Sequence, residues 1–251
     1  MTRFRAPDVP VTLSAPPNGR VLVVAPHPDD ETMGVGGTLA LHRAQGDAVT
    51  ALFVCNGIQG DPDGYLPREE IVPTRRREAQ AAADVLGIGE LRFLDYPDNL
   101  SDADIHVFEG LPEDPDDARR ALAMGFADQL IAMIESDGFD IVYFPWDGEL
   151  NADHWLIGQA VTHLRSSRPD IAERASWLGY DVWSACIPDT VMDTSNVMET
   201  KLAAVHCYES QELYVDYAHA VAGLDAYRSL LLERGATYGE AFVGRYREDG
   251  S

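Results

Sequence analysis

Positive charge is scarce in this sequence, where 19 Lys and Arg residues stand against 42 Asp and Glu residues for a formal net charge of −23. Nucleic acids and anionic membrane surfaces are bound through clustered cations, so we expect neither as a partner. The excess of acidic residues favours solubility and is compatible with a neutral or cationic substrate.

Cysteine and long apolar segments are also scarce. The three cysteines, Cys55, Cys186 and Cys207, lie far apart and form no CxxC motif, which argues against a disulfide framework and against a cysteine-based zinc ribbon. No apolar run reaches the roughly 18 residues of a membrane-spanning helix. No apolar stretch typical of a signal peptide follows Arg3 and Arg5. These absences predict a cytoplasmic protein without membrane contact.

Apolar runs alternate with helical segments along most of the chain. The first run begins at Val21 and leads into a helix that ends before Gly46. Further strands are predicted at 48–55, 91–94, 140–144, 177–183 and 190–193, and further helices at 74–86, 118–135, 154–165, 198–207 and 216–233. This order predicts an α/β fold with a Rossmann-like, mostly parallel sheet, helices on both faces and a mixed C-terminal extension. We expect a single domain over residues 1–251, with 1–19 as an extended arm and a polar tail after the last helix.

Two polar clusters follow predicted strands. The segment Pro26–Glu31, with the sequence PHPDDE, ends the first strand, and Asn151–His154, with the sequence NADH, follows the strand at 140–144. Ligands of open α/β sheets bind in a crevice at the carboxyl ends of the strands. We therefore expect the two clusters to share such a crevice, walled by the loop 56–73 and by the acidic segment 99–117.

Three side chains of these clusters form a possible metal site. His27, Asp30 and His154 are two imidazoles and one carboxylate, the ligand set of a catalytic zinc that keeps one position open for water. Zinc lowers the pKa of bound water from 15.7 to about 7, and the adjacent Asp29 is then free to act as general base. The residues alone leave two alternatives open: His27 as a turn residue bonded to backbone, and His154 as a capping or core histidine.

The same segments resemble a known family. The sequence PHPDDE after an apolar strand resembles the signature of the LmbE/PIG-L family of zinc-dependent de-N-acetylases, and NADH resembles that family's His-x-Asp-His motif. Weaker similarity extends to Arg77 and Glu78 on the second helix and to a C-terminal pattern of Asp193, Lys201, Ala204, Tyr208, Ser210 and Gln211. The resemblance implies hydrolysis of an N-acetyl group, typically on a glucosamine unit, with release of acetate and a free amine.

Roles follow from the resemblance position by position. It implies that His27, Asp30 and His154 hold one zinc ion per chain and that Asp29 is the base. Asp153 is expected to orient a ligand histidine without binding the metal itself, or else to cap the helix of His154. For the substrate, we expect contacts from one arginine of the run 75–77, taken here as Arg77, and from the strand-end acids Asp95 and Asp98. Trp146 and Trp155 flank the second cluster and are expected to pack in the core rather than on a sugar.

Asn151 departs from the family pattern. The family commonly has a histidine there, assigned to protonating the leaving amine or to stabilising the oxyanion. Asparagine can donate a hydrogen bond, but it cannot act as an acid near neutral pH. Three explanations follow. Asp29 itself returns the proton to the amine, another histidine such as His206 takes the place of the missing motif histidine, or activity is weakened. We favour the first, because one carboxylate can act as base and then as acid.

Two other functions fit parts of the sequence. A metal-dependent phosphoesterase would use the same kind of sheet but two metal ions, so the number of zinc ions per chain separates the two. A catalytically impaired sugar- or nucleotide-binding module is compatible with Asn151, although the glycines after the first strand lack the G-x-G-x-x-G spacing. The expected substrate is an N-acetylated amino sugar. Its aglycone and the oligomeric state, including a homo-oligomer, are left open.

Overall fold

The computed structural model describes residues 8–96, 98 and 111–247. Its strands form one sheet in the order β1-β7-β8-β6-β5-β2-β3-β4. The strands are β1 (Val11–Leu13), β2 (Val21–Ala25), β3 (Val49–Cys55), β4 (Glu90–Tyr96), β5 (Ile141–Pro145), β6 (Ser176–Tyr180), β7 (Thr190–Asp193) and β8 (Gly239–Val243). All neighbouring strands are parallel except β8, which is antiparallel to both β6 and β7. The predicted α/β class with a mostly parallel sheet is confirmed.

Helices cover both faces of the sheet. They are α1 (Asp30–Gln45), α2 (Arg68–Leu86), α3 (Pro115–Asp137), α4 (Ala152–Ser167), α5 (Pro169–Ala172), α6 (Met198–Val205), α7 (Glu209–Glu212) and α8 (Tyr217–Arg228). Side chains of α1, α2 and α6 pack on one face, and those of α3 and α4 pack on the other. Strands β2 and β3 are buried along their whole length, which explains their unbroken apolar sequences. In the described part of the chain, no helix is long and apolar enough to span a bilayer.

The chain reverses direction across the sheet next to β2. It runs outward from β2 through β3 to β4, then returns to the other side of β2 as β5 and continues to β6. β2 and β5 are therefore adjacent strands whose following segments diverge to opposite faces, with Val21 paired to Ile141. Such a switch point opens a crevice at the carboxyl ends of the two strands. The PHPDDE and NADH segments both lie at this crevice.

Three features differ from the sequence-based expectations. The expected arm contains β1, which pairs with β7 at the sheet edge. Helix α2 begins at Arg68 instead of Thr74, with Pro73 accommodated inside it. The expected polar tail contains β8, which lies inside the sheet between β6 and β7. The second residue of the short β8 is a glutamate, and this weakens its apolar pattern as read from sequence.

That glutamate, Glu240, belongs to a fully buried ion cluster. Lys201 of α6, the only lysine in the chain, has its Nζ 2.7 Å from Glu240 Oε1 and 2.8 Å from Asp225 Oδ2 of α8. Glu240 also accepts hydrogen bonds from the backbone N–H groups of Gly37 and Thr38, both at 2.7 Å, and from the Thr38 hydroxyl. The cluster thus joins α1, α6, α8 and β8 around one cation.

We expect Lys201→Met to destabilise the protein by about 3–5 kcal/mol, because removal of the cation leaves two buried carboxylates without their partner. The free energy of unfolding from a denaturant titration measures the effect. The exposed Arg77→Met is the control and should change stability by no more than about 0.5 kcal/mol. A loss for Lys201→Met as small as that of the control would contradict a stabilising role for the cluster.

Candidate active site

The turn between β2 and α1 places its acids by means of a strained residue. Asp29 has φ 136° and ψ −30°, a conformation that L-residues rarely adopt. The buried Glu31 holds it, accepting the Asp29 backbone N–H at 3.1 Å while its other oxygen accepts from Thr32 and from Tyr208, at 2.7 and 2.6 Å. As a result, Asp29 and Asp30 point their carboxylates at different partners.

Asp30 faces both site histidines. Its Oδ2 lies 3.3 Å from His27 Nδ1 and 3.1 Å from His154 Nε2, and the two rings lie 5.5 Å apart between centroids. Burial alone would raise the pKa of Asp30, but the two histidines hold that pKa well below its usual range. The structure therefore brings together the three residues that were expected to bind a metal.

The fit to a metal ion can be judged from His154. Both of its ring nitrogens are buried and neither has a hydrogen-bond partner in the described structure. Potential ligand atoms of His27, Asp30 and His154 all lie within 4.8 Å of one another. A buried imidazole without a hydrogen bond, next to a carboxylate and a second imidazole, suits metal ligation. The donor set therefore fits a divalent ion.

Asp153 and Asn151 support this group from the start of α4. Asp153 Oδ2 lies 2.9 Å from His27 Nε2, which leaves Nδ1 of that ring facing Asp30. This is the carboxylate–histidine arrangement that orients metal ligands. Asn151 is the N-cap of α4, and its Oδ1 accepts from the backbone N–H groups of Asp153 and His154 at 2.9 and 3.4 Å.

Asp29 turns instead to Arg75 of α2. Arg75 Nη2 lies 3.0 Å from Asp29 Oδ2 and also donates to the Pro28 carbonyl. Burial raises the pKa of Asp29 to about 7, against the lowering effect of Arg75. The Asp29 carboxylate thus lies beside the candidate metal-binding group of His27, Asp30 and His154 without being part of it.

These residues line a cavity of about 320 Å³. His27, Asp29, Asp30, Asn151 and Asp153 contribute to its wall, together with Arg75, Asp98, Gln59, Gln211, Trp183, Tyr214 and Tyr217. Asp98 uses its two oxygens to accept the backbone N–H groups of Gly57 and Gln59, at 2.7 and 2.8 Å. It thereby shapes the loop that forms one wall. Most of the acidic segment 99–117, from 99 to 110, lies outside the described residues.

Two of the residues expected to contact substrate lie elsewhere. Arg77 is exposed and donates to Thr74, and Asp95 is exposed and paired with Arg76. The arginine that lines the cavity is Arg75. Its position could have been found from helical periodicity, because it lies on the buried face of α2 with Ile71, Glu78, Ala79 and Ala82.

Aromatic residues also differ from expectation. Trp146 and Trp155 do not line the cavity, but neither packs in the core as expected: Trp146 is half-buried and donates its indole N–H to the Ser184 carbonyl, and Trp155 is exposed. Trp183 and Tyr217 line the cavity instead. No local signal marked them, because each belongs to a segment far along the chain from both polar clusters.

Comparison with known proteins agrees with this geometry. The family model described as PIG-L, GlcNAc-PI de-N-acetylase, matches residues 22–165. This chain belongs to the PIG-L family. The family assignment made from the PHPDDE and NADH segments is confirmed, and with it an enzyme that removes N-acetyl groups by amide hydrolysis in a metal-dependent way.

Three of the proteins that resemble this chain differ in the activity their names give. A probable N-acetyl-alpha-D-glucosaminyl L-malate deacetylase 2 of Bacillus cereus is 31% identical over 80% of this chain and 87% of its own. A 4-oxalmesaconate hydratase of Pseudomonas putida is 27% identical over 85% and 83%. The solved structure of N,N'-diacetylchitobiose deacetylase from Pyrococcus horikoshii superposes with a TM-score of 0.69 at 22% identity, covering 89% of this chain and 82% of that one. The last similarity confirms the fold.

We expect His154→Ala to weaken binding of a divalent metal by about 100-fold or more, since even the partners behind metal ligands contribute 10- to 100-fold. His163→Ala is a matched control, because His163 lies on the same helix α4 with its side chain exposed. Titration of metal into chelator-treated protein measures both. Equal affinity of the two variants would show that His154 is not a ligand.

Proposed function

We propose that this chain hydrolyses the N-acetyl group of a small molecule containing N-acetylglucosamine, with one zinc ion per chain held by His27, Asp30 and His154. The observation that carries the proposal is the buried His154, whose ring makes no hydrogen bond in the described structure and whose Nε2 lies 3.1 Å from Asp30, next to the cavity that His27, Asp29 and Asp30 line. When bound, the metal would polarise the amide carbonyl and acidify water. A cytoplasmic location stays a prediction of the sequence.

In this proposal Asp29 is the general base. It lies next to a ligand residue in sequence, lines the cavity, and is not committed to either histidine. Arg75 holds its Oδ2, so the carboxylate is oriented while a further oxygen stays available for a proton. Asp29 removes a proton from the attacking water and then delivers it to the nitrogen of the leaving amine.

Asn151 is proposed to stabilise the oxyanion. Its Oδ1 accepts the backbone N–H groups of Asp153 and His154 at the start of α4. The Nδ2 group of the same amide takes no part in these two hydrogen bonds. The residue lines the cavity, so Nδ2 can donate to the oxygen of the tetrahedral intermediate. This function needs a donor and no ionisation, and asparagine supplies it.

The phosphoesterase alternative is not favoured. A second candidate ligand group in the described residues, His27, Cys55 and Asp153, shares His27 with the first. Cys55 is buried and does not line the cavity, so this group offers no position open to a substrate. The structure thus supports one metal position, as a deacetylase requires.

The protein should release acetate and a primary amine from N-acetylglucosamine compounds, and a chelator should abolish the reaction. Asp29→Asn should lower kcat by about 10²- to 10⁴-fold while metal content is unchanged, because only the proton acceptor is removed. The exposed Asp84→Asn on α2 is the control and should keep full activity. Amine release without acetate, or hydration of an unsaturated acid in place of amide hydrolysis, would contradict the proposed function.

Asn151→Ser separates the two roles of the asparagine, because serine caps helices about as well but lacks the longer amide donor. We expect kcat to fall by about 10²- to 10³-fold with no more than about 1 kcal/mol lost in stability. Steady-state kinetics and denaturant unfolding measure the two effects. If kcat is unchanged, Asn151 serves only as a cap.

A further inference from the structure

Two aromatic rings form one wall of the cavity beside the proposed metal group. Trp183, in the loop between β6 and β7, and Tyr217, at the start of α8, both line it. Their rings meet at 82°, with centroids 6.2 Å apart. Trp183 is 50% exposed although it is a large apolar side chain. Ring surface is therefore available to a bound molecule.

A buried carboxylate holds Trp183 in place. Glu149, in the loop after β5, is 3% exposed, and its oxygens accept the backbone N–H groups of Val182 at 2.6 Å and of Trp183 at 3.1 Å. Burial of a carboxylate is costly unless it is hydrogen-bonded. Glu149 makes none of the contacts of the metal group, so its role is to fix the loop that carries Trp183.

The far side of the same loop is held from α8. Arg228 donates to Asp181 and, at 2.9 Å, to the carbonyl of Cys186. Asp181 in turn accepts the backbone N–H of Cys186 at 2.9 Å. Both ends of 181–186 are thereby tied to the fold. The half-exposed Trp183 thus lies on a loop that is held by hydrogen bonds to Glu149, Asp181 and Arg228.

The charges around the cavity select against anions. Its described wall carries the acids Asp29, Asp30, Asp98 and Asp153, and Arg75 is its only arginine or lysine there. Arg75 is already paired with Asp29. Apart from the proposed zinc ion, a carboxylate or phosphate on the substrate would meet negative charge without a free cation to bind it.

From these observations we propose that Trp183 and Tyr217 form a subsite for a second, uncharged sugar ring next to the N-acetylated one. The proposal rests on the proposed deacetylase function. A pyranose ring has an apolar C–H face that packs flat on an aromatic ring, while its hydroxyl groups point outward to polar neighbours such as Gln59 and Gln211. The substrate class is a neutral N-acetylglucosamine oligosaccharide, and Glu149 is a positioning residue for the subsite.

Deacetylation rates of three probes test the subsite: N-acetylglucosamine, N,N'-diacetylchitobiose, and N-acetylglucosaminyl malate as an anionic glycoside. We expect kcat/KM for the neutral disaccharide to exceed that for both others by about 10-fold or more. Trp183→Ala should remove this advantage and leave turnover of the monosaccharide within about 2-fold, whereas Trp183→Phe should keep most of the advantage. Trp155→Ala is the matched control, since Trp155 is similarly exposed but lies outside the cavity wall.

The same panel separates failure of the subsite from failure of the proposed function. If the wild-type protein deacetylates none of the probes, the proposed function fails. If it deacetylates the monosaccharide but prefers the anionic glycoside, or if Trp183→Ala slows all probes equally, the subsite is overturned. Glu149→Gln is a second test, because weaker hydrogen bonds to the loop of Trp183 should raise KM for the disaccharide. The value of kcat and the turnover of the monosaccharide should be unchanged. A fall in kcat for every probe would indicate a general structural role instead.

Discussion

The strained backbone of Asp29 is the constraint on which the site depends. Its φ of 136° costs about 1–3 kcal/mol for a residue with a side chain. The turn is held from both sides: Glu31 accepts the Asp29 N–H, and Arg75 donates to the Pro28 carbonyl and to the Asp29 carboxylate. Because of this turn, two adjacent acids serve different neighbours. Asp30 faces the histidines, and Asp29 stays outside their group.

Buried carboxylates that bind backbone N–H groups recur throughout the structure. Glu31 holds the turn of Asp29, Asp98 the loop at Gly57, Glu149 the loop at Trp183, and Glu78 of α2 accepts both the N–H and the hydroxyl of Ser210. In the described structure these four carboxylates are held by N–H and hydroxyl donors and not by Arg or Lys. Backbone N–H groups satisfy them instead. The acids that make the chain so negative thus also fix the loops that surround the cavity.

Sequence reasoning found the parts of the site that local patterns encode. The apolar run of β2, the crevice at its carboxyl end and the ligand candidates His27, Asp30 and His154 could all be predicted from chain segments of a few residues, whereas the switch point beside β2 depends on the strand order. Arg75 was encoded as well, by its position on the apolar face of α2. In contrast, the bond from Tyr208 to Glu31 joins residues 177 positions apart and has no local pattern. Strand β8 was missed for the same reason, since its Glu240 is compatible with burial because Lys201, Gly37 and Thr38 of distant segments bond to it.

The asparagine at 151 limits how the proton can move in the proposed reaction. Asn151 cannot ionise, and its Oδ1 is occupied by the cap of α4. Asp30 lies between the two histidines, Asp153 bonds His27, and Asp98 accepts two backbone N–H groups. Asp29 pairs with Arg75, and in the described structure it makes no hydrogen bond to His27 or His154. In the proposed reaction, the same Asp29 carboxylate that takes a proton from water is therefore the most direct donor of that proton to the leaving amine. This requires that the water and the leaving nitrogen both lie on the cavity side of Asp29.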